Sequence, residues 1–213
     1  MTGLVRKATL IVAGGLLIAG AAAAGVPSPA NSTLPAGIAV VGSSLGVSDS
    51  VAGKFSVVVR DLANNPLNGS SVVIDFSADA DIKICNPQLN PSYTLNCPAR
   101  TVRKFTDASG TAGFTIVGGG TGLAPSVIAG SGSKIYADGV LLGNRTVAAY
   151  DIDGIGGVGT GDLSAWLTDF GSGFAYGRSD YDFSGGIGTG DLSLWLTVFG
   201  AAASTASCTA TCP

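Results

Sequence analysis

Residues 151–171, DIDGIGGVGTGDLSAWLTDFG, return almost unchanged as residues 180–200, DYDFSGGIGTGDLSLWLTVFG. The two stretches are identical at 15 of 21 aligned positions and begin 29 residues apart (180 − 151). Each starts with aspartates spaced among glycines and ends with apolar residues at helical spacing. Carboxylates gathered in a short glycine-containing loop are typical calcium ligands. The repeat therefore predicts two metal-binding loops, each followed by a short helix.

The aspartate spacing fits a 12-residue calcium loop, whose ligands come from positions 1, 3, 5, 7, 9 and 12, with water at some of them. The first loop places Asp151, Asp153, Ile155, Gly157, Gly159 and Asp162 at these positions, and the second places Asp180, Asp182, Ser184, Gly186, Gly188 and Asp191. Position 5 differs, because Ile155 has no side-chain oxygen and Ser184 has one. We expect Ca²⁺ at both sites, weaker at the first, with affinity on the order of 10⁻⁴ M or somewhat better.

A helix is predicted after each loop from apolar residues at positions i, i+3, i+4 and i+7. These residues are Leu163, Trp166, Leu167 and Phe170 in the first repeat and Leu192, Trp195, Leu196 and Phe199 in the second. Their register makes both tryptophans core residues rather than sugar-stacking platforms. Asp162 and Asp191 are expected to cap the helices while they bind metal.

The region 37–149 has the alternation of short β-strands separated by turn residues, with no helical period. Strands are predicted over 37–41, 55–60, 72–77, 100–106, 112–117, 126–129, 134–137 and 145–150. Such a series indicates a mostly β fold, a β-sandwich. Residues 25–36 are expected to form a flexible, extended segment that leads into it, and GGGTG (118–122) a flexible hairpin.

FSVVVRDLANNPLNGSSVVIDFSA followed by TDASGTAGFTIVG resembles bacterial immunoglobulin-like (Ig-like) domains of the invasin and adhesin type. The matching residues are Asp61, Pro66, Gly69, Thr106, Asp107, Gly110 and Ala112. The resemblance implies an Ig-like β-sandwich over 37–149, a fold that serves as a spacer or adhesin module. A fold of this kind does not by itself define an activity.

The duplicated loop and helix over 150–200 resembles a type I dockerin, a small all-α module of two EF-hand-like loop-helix units. The match covers loop positions 1, 3, 6, 8 and 12 and the helix positions, and departs from the family at position 5 of the first loop and at position 9. Dockerins bind cohesin domains, so the resemblance implies a cohesin-like partner. By the resemblance, the partner-binding residues are Thr160, Gly161, Ser164 and Thr168 and their repeats Thr189, Gly190, Ser193 and Thr197.

The N-terminus reads as a secretory signal peptide over 1–24, with Arg6 and Lys7 before an apolar run and small residues at the cleavage point. Its removal would change the net charge from −3 to −5 (−3 − 2). Without a basic patch, nucleic acid is not an expected partner. After cleavage, no membrane span is expected.

Four cysteines remain after export, Cys85, Cys97, Cys208 and Cys212, the last two in a tail over 201–213. Disulfides are expected in an exported chain, and three pairings can be drawn. The local pairing, Cys85–Cys97 with Cys208–Cys212, is favoured because each of its bonds closes a short loop.

The chain has no histidine and no glutamate, which removes the usual general bases and zinc ligands. We therefore expect a secreted, non-catalytic, calcium-binding protein of the cell surface that acts in attachment or assembly. Its partner is expected to be a cohesin-like domain. Two alternatives are a surface protein whose partner is another copy of itself, and, less favoured, a glycan-binding accessory of a polysaccharide-degrading system.

The ligand difference at position 5 predicts two unequal calcium-binding events in residues 25–213. Calorimetric titration should resolve a tighter event at the second loop and a weaker one at the first. Melting temperatures should rise with calcium more than with magnesium. Equal affinities, or tighter binding at the first loop, would contradict the ligand assignment.

Overall fold

The computed structural model describes residues 25–44, 47–48, 51–86, 88–123, 132–200, 208 and 210–212. The predicted signal peptide 1–24 and the predicted strand 126–129 lie outside these residues. The described chain is mostly β with two short helices. None of its helices has both the length and the apolar character needed to cross a membrane.

Within the described residues, twelve strands precede the helices. They are β1 Ile38–Val41, β2 Ser43–Ser44, β3 Val47–Ser48, β4 Lys54–Val58, β5 Ser71–Asp75, β6 Ile82–Ile84, β7 Thr94–Asn96, β8 Thr101–Phe105, β9 Thr111–Gly120, β10 Ser133–Ala137, β11 Val140–Arg145 and β12 Val147–Ala149. The helices are α1 Thr160–Gly171 and α2 Thr189–Phe199, with a 3-10 turn at Gly177–Ser179 between them. Sequence periodicity predicted the long alternating strands and missed the short β2, β3, β6 and β7 and the six-residue β11.

Most of the strands form two sheets around a shared apolar core. One sheet has the order β12-β1-β9-β4, with β6 also paired to β9, and the other has the order β11-β10-β5-β8-β7. Ile38, Val57 and Phe114 from the first sheet and Ile74 and Ile135 from the second belong to one buried cluster. Strand β1 runs parallel to β12 and to β9, and the other pairs within these sheets are antiparallel.

Strand β1 is buried on both faces of its sheet. Ile38 and Val40 lie in the core between the sheets. Ala39 and Val41 point to the other face and belong to a second cluster, which also contains the tryptophans of the two helices. Because strand side chains alternate between faces, every residue of β1 has a core to fill. The helical region is therefore the third layer of one structure and packs directly on the sheet.

Both tryptophans are confirmed as core residues of this second cluster. Trp166 is 2% exposed and Trp195 is 1% exposed. The indole N–H of Trp166 donates to the carbonyl of Ser179 at 3.3 Å, and that of Trp195 donates to the carbonyl of Tyr150 at 3.2 Å. The second bond ties α2 to the end of β12.

The segment 25–36 differs from the flexible, extended lead-in that its composition suggests. It lies against β4 and the residues that follow that strand. Thr33 and Val58 exchange two backbone hydrogen bonds of 2.8 and 2.9 Å, and the Ser28 N–H donates to the Arg60 carbonyl at 2.8 Å. Backbone pairing with a strand distant in sequence positions this segment.

The favoured local disulfide pairing is wrong. Cys85 bonds to Cys208, with Cα atoms 5.2 Å apart, and Cys97 bonds to Cys212, with Cα atoms 4.7 Å apart. Residues 210–212 return to the end of β6, where the Cys212 N–H donates to the Ile84 carbonyl at 2.8 Å. This backbone pairing brings the C-terminal cysteines to the β-domain, so sequence proximity does not decide the partners.

A tryptic digest without reductant tests the pairing. Cleavage after Lys83, Arg100 and Arg178 leaves Cys85 and Cys97 in the peptide 84–100 and the other two cysteines in 179–213. The structure predicts that mass spectrometry finds these two peptides joined, and that reductant separates them. Two unlinked peptides, each with an internal disulfide, would restore the local pairing.

A buried carboxylate lies in the turn before β6. Asp79 is 1% exposed, and its side chain accepts a hydrogen bond of 2.5 Å from the Ser133 hydroxyl. Burial raises the pKa of Asp79 to about 6, and the charge of Asp81 adds to the rise, while Ser133 and Arg100 oppose it. A carboxyl whose pKa is higher folded than unfolded makes the ionised native state less stable, and this penalty fades as pH falls through about 6.

Asp79→Asn is therefore expected to raise the free energy of unfolding by about 2 kcal/mol at pH 7.5. The gap between variant and wild type should narrow as pH falls below 6 and close near pH 4, which denaturant titrations at several pH values would measure. The control is Asp107→Asn, because bonds from Ser109 and Thr111 lower the pKa of that exposed carboxyl. The control should lose stability at pH 7.5, and a destabilised Asp79→Asn would contradict the penalty.

Candidate metal centres

Each repeat brings three aspartate side chains together. Asp151, Asp153 and Asp162 form the first triad, and Asp180, Asp182 and Asp191 form the second. Within each triad, one carboxylate oxygen from every residue lies within 4.8 Å of the others. The predicted carboxylate ligands of positions 1, 3 and 12 are thus assembled in both loops. The first triad starts just after β12, and the second just after the 3-10 turn.

The position-12 aspartates join each loop to its helix. Asp162 accepts hydrogen bonds from the Asp153 N–H at 2.9 Å and from the Gly159 N–H at 2.6 Å. Asp191 accepts the equivalent bonds from Asp182 at 3.0 Å and Gly188 at 2.7 Å. Gly159 and Gly188 are the N-cap residues, so each of these aspartates is the third residue of its helix. The predicted position-9 residues therefore cap the helices.

The first triad contains an unsatisfied buried oxygen. Asp151 is 2% exposed, and its Oδ1 has no hydrogen-bond partner. Burial raises the pKa of Asp151 to about 6, and the charge of Asp162 adds to the rise. A buried carboxylate oxygen without a donor is costly unless a cation satisfies it. This orphaned atom, together with two further carboxylates, fits a hard divalent cation such as calcium.

The second triad is held by loop amides instead. Asp180 accepts bonds from the N–H groups of Ser184 at 3.1 Å and Gly185 at 3.0 Å. Burial nevertheless raises the pKa of Asp180 to about 6.

The predicted position-5 residues bond to the position-3 carboxylates through their backbone. The N–H of Ser184 donates to Asp182 at 2.9 Å, and that of Ile155 donates to Asp153 at 2.8 Å. The hydroxyl of Ser184 also bonds to Asp182 and lowers the pKa of that carboxyl, whereas the side chain of Ile155 is exposed.

Two glycines assigned to partner recognition also have a packing role. A Cβ atom on Gly161 would collide with Oδ2 of Asp153, and one on Gly190 would lie 2.8 Å from Oδ2 of Asp182. Each position-3 carboxylate therefore lies against the first turn of its own helix. The remaining predicted backbone positions lie within the loops, with Gly157 buried and Gly186 half-buried at position 7.

The first loop packs on the end of β9, where the sequence predicted a flexible hairpin. Gly118–Gly120 continue the strand and pair with β6. The Gly120 N–H donates to the Asp151 carbonyl at 2.5 Å, and a Cβ on Gly120 would collide with the backbone of Ile152. The run of glycines is needed because the backbone of the metal loop lies directly on the backbone of the strand.

Position 4 of each loop contacts the β-domain in a different way. The Gly154 carbonyl accepts a hydrogen bond of 2.6 Å from Nζ of Lys83 in β6. The equivalent residue of the second loop is Phe183. Its ring lies against Gly37, and a Cβ atom on Gly37 would collide with that ring. Phe183 has a φ of 57°, a left-handed conformation that is unusual for a bulky residue. The contacts of Lys83 and Phe183 between the loops and the β-domain could not be read from the repeat alone.

A buried ion pair holds the connection between the repeats. Arg178 donates to both carboxylate oxygens of Asp169 at 2.8 and 2.9 Å, and the Ser179 hydroxyl donates to the same carboxylate at 2.6 Å. Arg178 also bonds to the carbonyl of Leu123. Asp169 occupies the position of Val198 in the second repeat, and both are buried. This substitution of aspartate for valine was the sequence signal of the ion pair.

The predicted partner-binding residues are accessible. All eight are exposed, namely Thr160, Gly161, Ser164, Thr168, Thr189, Gly190, Ser193 and Thr197.

The predicted apolar helix faces are only half buried. The tryptophans are buried, while Leu167, Phe170, Leu196 and Phe199 are 43 to 52% exposed. Phe170 stacks on Trp166 and Phe199 on Trp195, with ring centroids 5.3 and 5.1 Å apart. Each helix thus presents the same leucine and phenylalanine to solvent.

Comparison with protein-family models, with curated proteins and with solved structures finds no match to this chain.

The packing of position 3 generates a test. Gly161→Ala is expected to displace the Asp153 carboxylate and weaken calcium binding at the first site about tenfold, the order of effect of a disturbed ligand. Gly190→Ala should act in the same direction at the second site. Gly171→Ala at the end of α1, where a Cβ meets nothing within 4 Å, is the matched control. Calorimetric titration of all three variants would measure this, and unchanged affinities would contradict the packing role.

Proposed function

We propose that the chain is a secreted calcium-binding attachment or assembly protein, in which an Ig-like β-domain carries a dockerin-like module for binding another protein. The observation that carries this proposal is the duplication of the aspartate triads together with the orphaned Oδ1 of Asp151. Two calcium ions would be held by the carboxylates of positions 1, 3 and 12, with backbone carbonyls and water completing the coordination.

Calcium would act by stabilising the helical layer. Helices of 12 and 11 residues are too short to be stable alone in water. The N-cap glycine before each helix donates its amide to the position-12 carboxylate. A metal ion on that carboxylate would therefore fix the loop and the start of the helix together, and binding would be coupled to folding.

The proposed partner surface is the exposed side of the two helices. The exposed threonines and serines recur at equal positions in both repeats, beside half-exposed leucine and phenylalanine residues. Repeated chemistry of this kind suits a partner that binds either repeat. Two disulfides support an oxidising compartment, as expected for export.

Variants at the repeated threonines test the docking role. Thr160→Asp and Thr189→Asp place a charge on one repeat each, and the double variant places it on both. With purified cohesin domains as the probe and calcium present, surface-based binding assays should find binding with each single variant and none with the double variant. Loss of binding in each single variant would contradict the idea of two equivalent faces, and no binding by the wild type would contradict a cohesin-like partner.

Size-exclusion chromatography with light scattering separates the alternative of self-assembly. A monomer in calcium and in chelator is expected if the partner is a different protein. Concentration-dependent oligomers that appear only with calcium would replace the separate partner with a second copy of the chain. Glycan binding that survives chelation would favour the glycan-binding alternative instead.

A further inference from the structure

Lys83 is the one residue of β6 that points away from the core between the sheets. Its neighbours Ile82 and Ile84 are buried in that core, and strand alternation places Lys83 on the opposite face. There it pairs with Gly119 of β9. The absence of a side chain at Gly119 leaves room for Asp151, because a Cβ would lie 3.4 Å from Oδ2 of that residue. Lys83 and the first metal ligand therefore share the surface above this glycine.

The lysine ammonium is seated inside the first loop. Nζ donates to the Gly154 carbonyl at 2.6 Å, and a Cβ on Gly154 would collide with Nζ. Gly154 has a φ of 71°, so glycine serves here both to make the turn and to admit the ammonium. The positive charge favours the ionised form of Asp151, against burial and the charge of Asp162.

The second loop has no counterpart to this contact. Its position-4 residue is Phe183, which contacts Gly37. Among the hydrogen bonds of the described residues, none joins a lysine or arginine side chain to residues 180–191. Three carboxylates and one ammonium give the first loop a formal charge of −2 (−3 + 1), against −3 for the second.

We propose that Lys83 is a tethered cation that stabilises the first loop without metal and competes with calcium for it, so that the β-domain sets the affinity of that site. The inference rests on the proposed calcium function. It is separate from the effect of Ile155, because it adds a positive charge where Ile155 only withholds a ligand. The first site would then be a low-affinity site that stays folded at low calcium, while the second depends on the ion.

Lys83→Gln in residues 25–213 tests the competition, in an Asp180→Asn background that leaves the first site as the one intact triad. Calcium affinity is expected to increase about tenfold, since removing a unit positive charge beside a divalent-ion site relieves a repulsion of that order even at high effective dielectric. Lys134→Gln, at an exposed lysine of β10, makes the same change in net charge and should leave the affinity unchanged. Lys83→Arg keeps the charge and should stay near wild type.

Melting in chelator provides the second readout. Lys83→Gln should melt at a lower temperature than Lys134→Gln without metal, and calcium should close the gap. Equal calcium affinities for the two glutamine variants, or weaker binding by Lys83→Gln, would overturn the competition. If the parent binds no calcium, the proposed function fails, and equal melting temperatures in chelator would then also overturn the stabilising role of Lys83.

Discussion

The organisation of this protein depends on a sheet that is buried on both faces where β1 and β12 lie side by side. Alternate residues of β1 fill two different cores, and β12 does the same, with Val147 and Ala149 on one side and Ala148 on the other. The small side chains of Ala39 and Ala148 let large aromatic rings from the helical layer approach the sheet. Short helices are stabilised mainly by tertiary packing, and the buried tryptophans of both helices belong to this same cluster. The two aspartate loops are consequently positioned against the β-domain.

The two loops are identical at 8 of 12 positions and occupy different environments. The first lies on a glycine strand through backbone contacts and receives Lys83, and the second is anchored by the ring of Phe183 on Gly37. A shared chemical pattern can therefore give two sites of unequal strength. If the proposed calcium function holds, unequal affinities would come from the surface on which each loop packs as well as from the ligand at position 5.

The disulfides secure the far end of the helical layer. Sequence separations of 123 and 115 residues mean that each bond encloses the later strands of the β-domain and both repeats. In the chain-entropy model a loop of that size contributes about 5 kcal/mol, compared with about 3 kcal/mol for a loop of 13 residues, although two overlapping loops do not add fully. The helical layer is thus held by β12 at its start and by the returning C-terminal residues at its end.

The sequence by itself determined the features that depend on neighbouring residues. Strand alternation, the three aspartates of each loop, the helices after them and the burial of Trp166 and Trp195 all follow from local spacing. The cysteine partners, the course of 25–36, the role of Gly118–Gly120 and the approach of Lys83 were decided by tertiary structure. Each of these depends on segments far apart in the chain meeting at a sheet edge or face. The local hydrophobic periodicity of a sequence does not predict such contacts, because the free energy that selects them comes from packing and backbone pairing between the distant segments.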